Sequence, residues 1–435
     1  MGSVGAELRG AGALEDARAF LLASEREELV ALFGRVAATE DGPLFLVRTF
    51  EIALEDLICR DREGLHWKPE LTRRWTHEAE DADQGVVLLH AHGHDGVVSL
   101  SETDRRTCRR MLEHFETAIP TQAHGYGVIG REAIAGCFAW KGERFRWIRM
   151  KSVACPVRAW TPRPPATGRA DISMARQAAA ITEAGQARTS AATVALVGAG
   201  GAGSMVANQL AHMGVGSVLI CDQDMVKDVN LSRQDGAGPA NVGAPKAEVT
   251  ADLMRHSSPS IRVEIISERF PSPRSHRALR VADVIVSCVD SAHARDEINK
   301  FCRRYLVPLV DVGATIRRNG DELALIAGHT IRVLPDGACL ECEGLTTTAL
   351  RERELAGHNV PYWEGDDAPT APQVMSVNGV LASVAATEVL GLIAGLSEDR
   401  QTCHVRYEAL ARELYSREPL PPGCAVCSIL GRGDE

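Results

Sequence analysis

Four glycines stand close together near the middle of the chain, at Gly198, Gly200, Gly201 and Gly203. They follow a short apolar run, residues 193–197, that predicts a buried strand, and they precede "MVANQLAHMG", which predicts a helix. Glycines at such a turn let a phosphate approach the backbone, while the start of the helix offers free N–H groups and a positive dipole end. The pattern indicates a nucleotide-phosphate site, although glycine-rich loops also serve as plain turns.

A carboxylate follows at the spacing that a nucleotide-binding strand–helix–strand unit uses. The predicted second strand, residues 217–222, ends at Asp222, about 20 residues after the glycines. A carboxylate at this position can bind the hydroxyl groups of a ribose. An NAD-dependent dehydrogenase would share this feature, so Asp222 alone does not define the reaction.

The residues after Asp222 are more specific. The block "DQDMVKDVNLSRQ" and the later "GAPKAE" resemble the ThiF/MoeB superfamily of adenylyltransferases, which is related to ubiquitin-activating enzymes. The resemblance implies that Asn230, Arg233 and Lys246 contact the phosphates of ATP. It also implies that Asp290, at the end of a further predicted strand, holds Mg²⁺. Adenylation expels pyrophosphate from the α-phosphate, so cations must already lie beside the leaving group. A dehydrogenase would leave these residues without a role.

A predicted helix before the glycine loop carries the pair Arg176-Gln177. In the resembling family, an arginine before this glutamine reaches across a dimer to the ATP phosphates of the partner. The resemblance therefore implies a homodimer in which Arg176 acts in trans. An exposed helix arginine without such a role is the alternative.

Two Cys-x-x-Cys pairs near the C-terminus predict a metal site of a different kind. Four thiolates in two such turns suit a tetrahedral structural zinc with no open position, and the resembling family carries the same pairs. Free or redox-active pairs are the alternative. The predicted ligands are Cys339, Cys342, Cys424 and Cys427.

Many relatives also carry a catalytic cysteine after the first pair, in a crossover loop, where it takes the ubiquitin-like protein as a thioester. Residues 343–402 of this chain contain no cysteine. The sequence therefore leaves open whether the chain stops at the adenylate or hands the activated protein to a partner's cysteine. The polar composition of the segment predicts a flexible loop.

A third cluster lies in the N-terminal part of the chain. His90 and His92 stand at i and i+2 at the end of a predicted strand, so their side chains point to one side. Asp104, on the next predicted helix, can complete a three-ligand metal site with an open position for water. The order H-x-H then S-x-x-D resembles the JAMM motif of Mov34/MPN-type deubiquitinating metallopeptidases. The resemblance implies a catalytic zinc on these three residues, with Ser101 stabilising the oxyanion.

The same family uses an upstream glutamate that takes a proton from the zinc-bound water. Glu28, followed by a small residue and glycine at the family's spacing, fits best, and Glu27 is the alternative. Eight residues separate His92 from Ser101, one more than the usual pattern. Surface histidines and a helix-face glutamate are the alternative interpretation.

Taken together, these patterns predict an α/β protein: a C-terminal Rossmann-like adenylation domain with a mainly parallel sheet, preceded by an α+β JAMM/MPN-like domain. Residues 1–160 would form the peptidase domain, 161–190 a proline-rich linker and lead-in helix, and 191–435 the adenylation domain. The net charge of −10 argues against nucleic acid as the main partner. No signal peptide is evident, and the apolar stretch 376–396 predicts a buried helix rather than a membrane span, so we expect a cytoplasmic protein.

The two predicted halves share a substrate class, because one activates and the other cleaves after the C-terminus of a ubiquitin-like protein with a glycine-rich tail. We therefore expect a bacterial-type fusion that uses ATP, Mg²⁺ and two zinc ions, one catalytic and one structural. A conjugating-enzyme-like protein is a possible further partner. Two alternatives stay open: activation of a sulfur-carrier protein in cofactor synthesis, and a scaffold with an inactive peptidase half.

Overall fold

The computed structural model describes most of the chain in two compact units. Unit 1 comprises Met1–Ala166, Arg304–Leu306 and Leu430–Glu435, and unit 2 comprises Thr167–Arg303 and Val307–Ile429. The domain boundaries given above stay a prediction. The described residues are 5–24, 28–39, 42–53, 57–61, 64–91, 98–154, 156–161, 172–319, 322–356, 372–396 and 402–434.

The described residues of unit 1 form strands and three helices. Its strands are β1 (Ala6–Gly10), β2 (Leu29–Thr39), β3 (Gly42–Ile52), β4 (Leu57–Asp61), β5 (Gly64–Trp67), β6 (Gly85–Ala91), β7 (His124–Ile129), β8 (Ile134–Trp140), β9 (Glu143–Ser152) and β10 (Arg158–Trp160). Its helices are α1 (Gly12–Ala23), α2 (Pro69–Asp81) and α3 (Glu102–Ala118).

Eight of these strands form one mixed sheet in the order β1-β3-β2-β6-β7-β8-β9-β10, and β1 also pairs with β9, so the sheet closes on itself. Both of its faces are apolar. One cluster of buried side chains includes Leu14 of α1, Phe45 and Trp147, and another includes Trp75 of α2 and Phe115 of α3. The helices therefore pack against the apolar side chains on the faces of the sheet.

The sequence of residues 15–35 is compatible with one helix or with a helix that leads into a strand. The structure has the second arrangement, because α1 ends at Ala23 and β2 begins at Leu29. Leu29 and the next four residues of β2 are all buried, as expected for a strand that is covered on both faces. Glu28 directly precedes this strand.

Unit 2 follows an alternating strand and helix order. Its helices are α4 (Ala175–Ile181), α5 (Glu183–Ala191), α6 (Gly201–His212), α7 (Lys246–Ser257), α8 (Pro273–Ala278), α9 (Ala292–Tyr305), α10 (Thr348–Leu355) and α11 (Met375–Ala394). Its strands are β11 (Thr193–Val197), β12 (Ser217–Cys221), β13 (Arg262–Ile266), β14 (Val284–Ser287), β15 (Leu309–Asn319), β16 (Glu322–Val333), β17 (Cys403–Glu408) and β18 (Glu413–Arg417).

The sheet of unit 2 has the order β13-β12-β11-β14-β15-β16-β17-β18. The first five strands are mutually parallel, and the last three are antiparallel to their neighbours. After β11 the chain builds outward through β12 and β13, then returns to the other side of β11 as β14. Such a reversal is the point at which open parallel sheets bind ligands, beyond the carboxyl ends of the strands. This is the Rossmann-like arrangement predicted from the glycine loop.

Two predicted elements in unit 2 differ from the structure. The lead-in helix is divided into α4 and α5 at Thr182, whose φ of 69° lies in the left-handed region and interrupts the helix. The strand that was predicted to end at Asp290 ends at Ser287, so Asp290 lies in the loop that follows.

The most apolar helix, α11, is long and apolar enough to cross a membrane by length and composition. Within unit 2 it contacts α6, β15 and β16. Its side chains at Val377, Leu381, Ala385 and Val389 recur every fourth residue and are all buried. This spacing supports the interpretation of α11 as a core helix.

Trp147 gives a test of the unit 1 core. A side-chain carbon at Gly127 or Gly136 would lie within 2.5 Å of its ring, so the two glycines make room for the indole. We expect Trp147→Ala to cost about 3–5 kcal/mol of stability, because it leaves a cavity between these strands. Amide hydrogen exchange in β7–β9 should accelerate. The half-buried Trp140→Ala is the control, and equal effects of the two variants would contradict this packing.

Candidate functional site

A cleft of about 570 Å³ opens in unit 2 where the strand order reverses. The segments that follow β11, β12 and β14 supply much of its lining. Most of the residues predicted to bind nucleotide therefore meet in one place. Those among its lining are Gly198, Gly200, Gly201, Asp222, Asn230, Arg233, Lys246 and Asp290.

The glycine loop needs its glycines at two positions in particular. Gly198 has a φ of 93°, a left-handed conformation that residues with a side chain rarely adopt. Gly203, in the first turn of α6, lies so close to Gly198 that an added side-chain carbon would stand 1.9 Å from its carbonyl oxygen. The loop is thus a tight turn that connects the end of β11 to the N-terminus of α6.

Asp222 fixes the shape of this loop. Its Oδ2 accepts a hydrogen bond from the backbone N–H of Ala199 at 2.6 Å, and its Oδ1 accepts one from Asp224 at 2.7 Å. Burial raises the pKa of Asp222, while these two backbone donors and the nearby Lys246 oppose the shift. The carboxylate predicted to bind a ribose is therefore also the link between the glycine loop and the next strand.

Lys246 stands at the first position of α7, directly after Pro245. Its Nζ lies 2.8 Å from Oδ2 of Asp224, and its backbone N–H donates to the Asp224 carbonyl oxygen at 2.8 Å. The Lys246 side chain is mostly buried, whereas Asp224 is largely exposed. The ammonium group is held at the cleft by a carboxylate that solvent can reach.

Arg233 and Asp290 approach the cleft from different segments. Burial lowers the pKa of Arg233, and the negative charge of Asp290 opposes this shift. The Arg233 side chain donates only to the carbonyl oxygen of Val229, at 3.3 Å, among the contacts of the described residues. Asn230 is buried, and its Oδ1 accepts from the Lys227 backbone N–H, so only its NH₂ group could contact a phosphate.

Two predicted residues lie elsewhere. Gly203 lies in the first turn of α6 and is absent from the described cleft lining, and its close contact with Gly198 agrees with a packing role. Arg176 is exposed on α4 and is absent from the described lining of the cleft. Its predicted action on the nucleotide of a partner subunit stays a prediction, as do the individual roles of the other site residues.

Three carboxamide side chains at the cleft were not among the predicted site residues. Gln234 is 3% exposed, and neither its Nε2 nor its Oε1 has a hydrogen-bond partner within the described chain. Nδ2 of Asn378, at the start of α11, donates to Oε1 of Gln373 at 3.4 Å. A side-chain carbon at Gly201 would stand 2.5 Å from that Nδ2. The block that contains Gln234 pointed to this region, whereas nothing local marked Gln373 or Asn378.

The four cysteines of the two Cys-x-x-Cys pairs converge in unit 2, with all their sulfur atoms within 4.8 Å of one another. Neighbouring sulfur atoms are 3.4–3.9 Å apart. Ligands at zinc–sulfur bonds of about 2.3 Å in a tetrahedron would be separated by roughly 3.8 Å. The donor set therefore fits a four-thiolate zinc site. Such an ion would hold two distant segments together.

In unit 1, two of the residues predicted to bind a catalytic metal lie close together. His90 is 1% exposed at the end of β6, and its Nε2 lies 3.4 Å from Oδ1 of Asp104. Two ligands of one tetrahedral zinc, at bonds of about 2.0–2.1 Å, would be separated by roughly 3.3 Å. Leu29 pairs with His90 across the sheet, so buried Glu28 stands at the same sheet end. His92 lies outside the described residues, as does Glu27.

Ser101 and Asp104 form a capping box at the start of α3. Oγ of Ser101 accepts from the Asp104 backbone N–H at 3.0 Å, and the Ser101 N–H donates to Oδ2 of Asp104 at 2.8 Å. This exchange satisfies two N–H groups at the start of the helix. It also turns the other carboxylate oxygen of Asp104 towards His90.

The parallel sheet, glycine loop and strand-end residues of unit 2 define a Rossmann-like nucleotide-binding domain of the adenylyltransferase type. Residues 174–421 match the model of the ThiF family. The chain belongs to the ThiF family.

Several curated relatives align with more than half of the chain. The SAMP-activating enzyme E1 of Haloferax volcanii is 30% identical over 247 residues, which cover 56% of this chain and 83% of the relative. The molybdopterin-synthase adenylyltransferase of Escherichia coli is 28% identical over 245 residues, or 56% of this chain and 90% of the relative. The sulfur carrier protein ThiS adenylyltransferase of E. coli is 26% identical over 256 residues, which cover 56% of this chain and 88% of the relative.

Among solved structures, that of E. coli MccB with ATP is similar at 21% identity and a TM-score of 0.48. The match covers 59% of this chain and 75% of MccB. The family assignment rests on the sequence matches and does not depend on this similarity.

The cysteine cluster gives a prediction that metal analysis can check. We expect Cys424→Ser to remove about one zinc equivalent per chain and to lower the thermal stability of unit 2, because a structural zinc contributes folding energy directly. Cys403→Ser, on the neighbouring β17, should keep the wild-type zinc content. Equal zinc in all three proteins, by elemental mass spectrometry, would contradict the assignment of these thiolates as ligands.

Proposed function

We propose that this chain uses ATP to adenylate the C-terminal carboxylate of a small ubiquitin-like or sulfur-carrier protein. The observation that supports this most directly is the cleft that gathers Asp222, Arg233, Lys246 and Asp290 around the glycine loop. The names of the SAMP-activating enzyme E1 and of the sulfur carrier protein ThiS adenylyltransferase refer to such activation, which adds support. These two relatives and the molybdopterin-synthase adenylyltransferase align with this chain along most of their own length.

The proposed reaction is a substitution at phosphorus. A carboxylate oxygen of the protein substrate would attack the α-phosphorus of ATP, and the bond to the bridging oxygen would break to release pyrophosphate. Negative charge grows on that leaving group, so Arg233 and Lys246 would stabilise it. Asp222 would hold the ribose, and the NH₂ group of Asn230 would orient a phosphate. Asp290 would hold Mg²⁺, which prefers oxygen ligands and neutralises phosphate charge.

Arg176 suggests how the active assembly is built. It is exposed on α4 and is not among the described residues that line the cleft. We propose that it acts on the nucleotide of a second copy, which makes the functional form a homodimer. Disruption of such a dimer would then lower activity without altering the cleft of either copy.

The product would leave this chain as an adenylate. The crossover segment contains no cysteine, and two cysteines that line the cleft, Cys221 and Cys288, are poor nucleophiles. Burial raises the pKa of Cys221 to about 12 and raises that of Cys288 as well. We propose that a separate, conjugating-enzyme-like protein takes the acyl group. A sulfur source would take it instead if the partner is a sulfur carrier, and the relatives support both.

For unit 1 we propose a zinc isopeptidase that trims or removes the same partner. The close approach of His90 and Asp104, with Glu28 at the same sheet end, supports the JAMM/MPN interpretation. His90, His92 and Asp104 would hold the zinc, which would supply activation of a water molecule, while Glu28 would act as the general base and Ser101 would face the oxyanion. The extra residue between His92 and Ser101 keeps an inactive scaffold as the second candidate. The proposed location is the cytoplasm, with neither nucleic acid nor membrane as partner.

Pyrophosphate exchange tests the adenylation proposal. With a panel of ubiquitin-like and sulfur-carrier proteins that end in Gly-Gly, at least one should support exchange of labelled pyrophosphate into ATP. Lys246→Ala should lower that exchange by about 100-fold, because it removes one preorganised positive group. Lys227→Ala, an exposed lysine outside the cleft lining, is the control. No exchange with any partner, or equal rates for both variants, would refute the proposal.

Cleavage of a tail-extended partner tests the peptidase proposal separately. Glu28→Gln should slow cleavage by about 100-fold or more, since it removes the general base. Glu113→Gln, an exposed glutamate on α3, should cleave like the wild type. Cleavage by Glu28→Gln at the wild-type rate would contradict the assigned base, and no cleavage by any form would favour the scaffold.

A further inference from the structure

One buried carboxylate in unit 2 is bound from three sides. Asp311, on β15, is fully buried, and its Oδ1 accepts from Oγ of Ser287 at 2.7 Å. Nε of Arg295 donates to it at 2.9 Å, and Nε2 of His329 lies 3.1 Å from its Oδ2. The partners come from β14, α9 and β16. Asp311 therefore connects three separate elements beneath the wall of the cleft.

Arg295 extends this cluster to the loop that carries the proposed Mg²⁺ ligand. Its Nη2 donates to the carbonyl oxygen of Val289 at 2.7 Å, while its Nε is bound to Asp311. Val289 is the residue directly before Asp290. Because a guanidinium group is rigid and planar, one side chain fixes the distance between the buried carboxylate and this loop.

Arg295 and Arg233 both line the cleft, but they differ in whether a carboxylate neutralises their charge. Arg295 is 1% exposed and ion-paired with Asp311, so its charge is already neutralised. Arg233 is placed to meet phosphate and has no such carboxylate partner among the described ion pairs. Arg295 is accordingly suited to hold the loop in place rather than to bind an anion.

We propose that Arg295, Asp311 and His329 are positioning residues that set the Asp290 side chain for Mg²⁺ binding in the adenylation site. The inference rests on the proposed function and adds a role that none of the sequence motifs contains. Gly313 makes room for the His329 ring in this arrangement, because a side-chain carbon at Gly313 would stand 2.5 Å from Cε1 of His329. Gly313 pairs with His329 across β15 and β16, so this packing sets the position of the imidazole.

The test uses the full chain with ATP and Mg²⁺ and needs no protein partner. Arg295→Lys keeps the charge but cannot hold both acceptors in the same fork geometry. We expect the Mg²⁺ concentration for half-maximal ATP binding to rise about ten-fold. This is the lower end of the loss of metal affinity that follows when a residue that orients a metal ligand is replaced. The affinity for ATP in the presence of EDTA should stay within about two-fold of wild type, since the phosphate-binding cations are intact. Calorimetric titration measures both quantities.

Arg332→Lys is the matched control. Arg332, on β16, is also buried and ion-paired, with Glu388 of α11 at 3.0 Å, and it lies outside the described cleft lining. It should lose comparable thermal stability but keep the wild-type Mg²⁺ dependence. Equal effects of the two lysine variants on Mg²⁺ dependence would overturn the proposal. So would an equal loss of ATP affinity with and without Mg²⁺ in Arg295→Lys.

Two further variants decide the matter if Arg295→Lys does not fold. Ser287→Ala and His329→Gln each weaken one bond to Asp311 and should raise the half-maximal Mg²⁺ concentration without lowering Mg²⁺-free ATP affinity. An unchanged Mg²⁺ dependence in both would overturn the proposal. Failure of the wild-type chain to bind ATP at all is a different result, because it would remove the proposed function and the inference together.

Discussion

The carboxylate of Asp222 is the point on which the nucleotide cleft of unit 2 depends. Its two oxygens tie the N–H of Ala199, in the glycine loop, to the N–H of Asp224, in the segment after β12. Asp224 in turn binds Lys246 through both its side chain and its backbone carbonyl. A single partly buried acid thus sets the relative positions of the phosphate loop and of a cation that would face the phosphates. Loss of this acid would disturb the geometry as well as remove a ribose ligand.

Charged side chains are held by different interactions in the two units. In unit 2 the cleft keeps Arg233 and Lys246 partly buried, where their charges act through a low dielectric on any bound phosphate. In unit 1 the capping box directs one oxygen of Asp104 towards His90 and uses the other to start α3. In both units these acidic side chains lie near strand ends or helix starts, where backbone N–H groups orient them.

The sequence predicted the elements of unit 2 that depend on residues close together in the chain. The strand over residues 193–197, the glycine turn and the carboxylate at Asp222 all occur where the pattern placed them, because each is encoded within a few neighbouring residues. The Asp311 cluster could not be predicted in this way. Its partners are separated by up to 42 residues, from Ser287 to His329, and meet only through strand pairing. Gln373 and Asn378 were missed for the same reason, since only the packing of α11 brings them to the loop.

Intact-mass spectrometry of the protein substrate tests the central claim most directly. A ubiquitin-like or sulfur-carrier protein ending in Gly-Gly would be incubated with this chain, ATP and Mg²⁺, and its mass compared with that of the untreated protein. We expect the partner to gain one AMP group, with no hydroxylamine-labile adduct on this chain. A partner of unchanged mass across the whole panel would contradict the account. So would a covalent ester on this chain, since the adenylate would then not be the species that leaves.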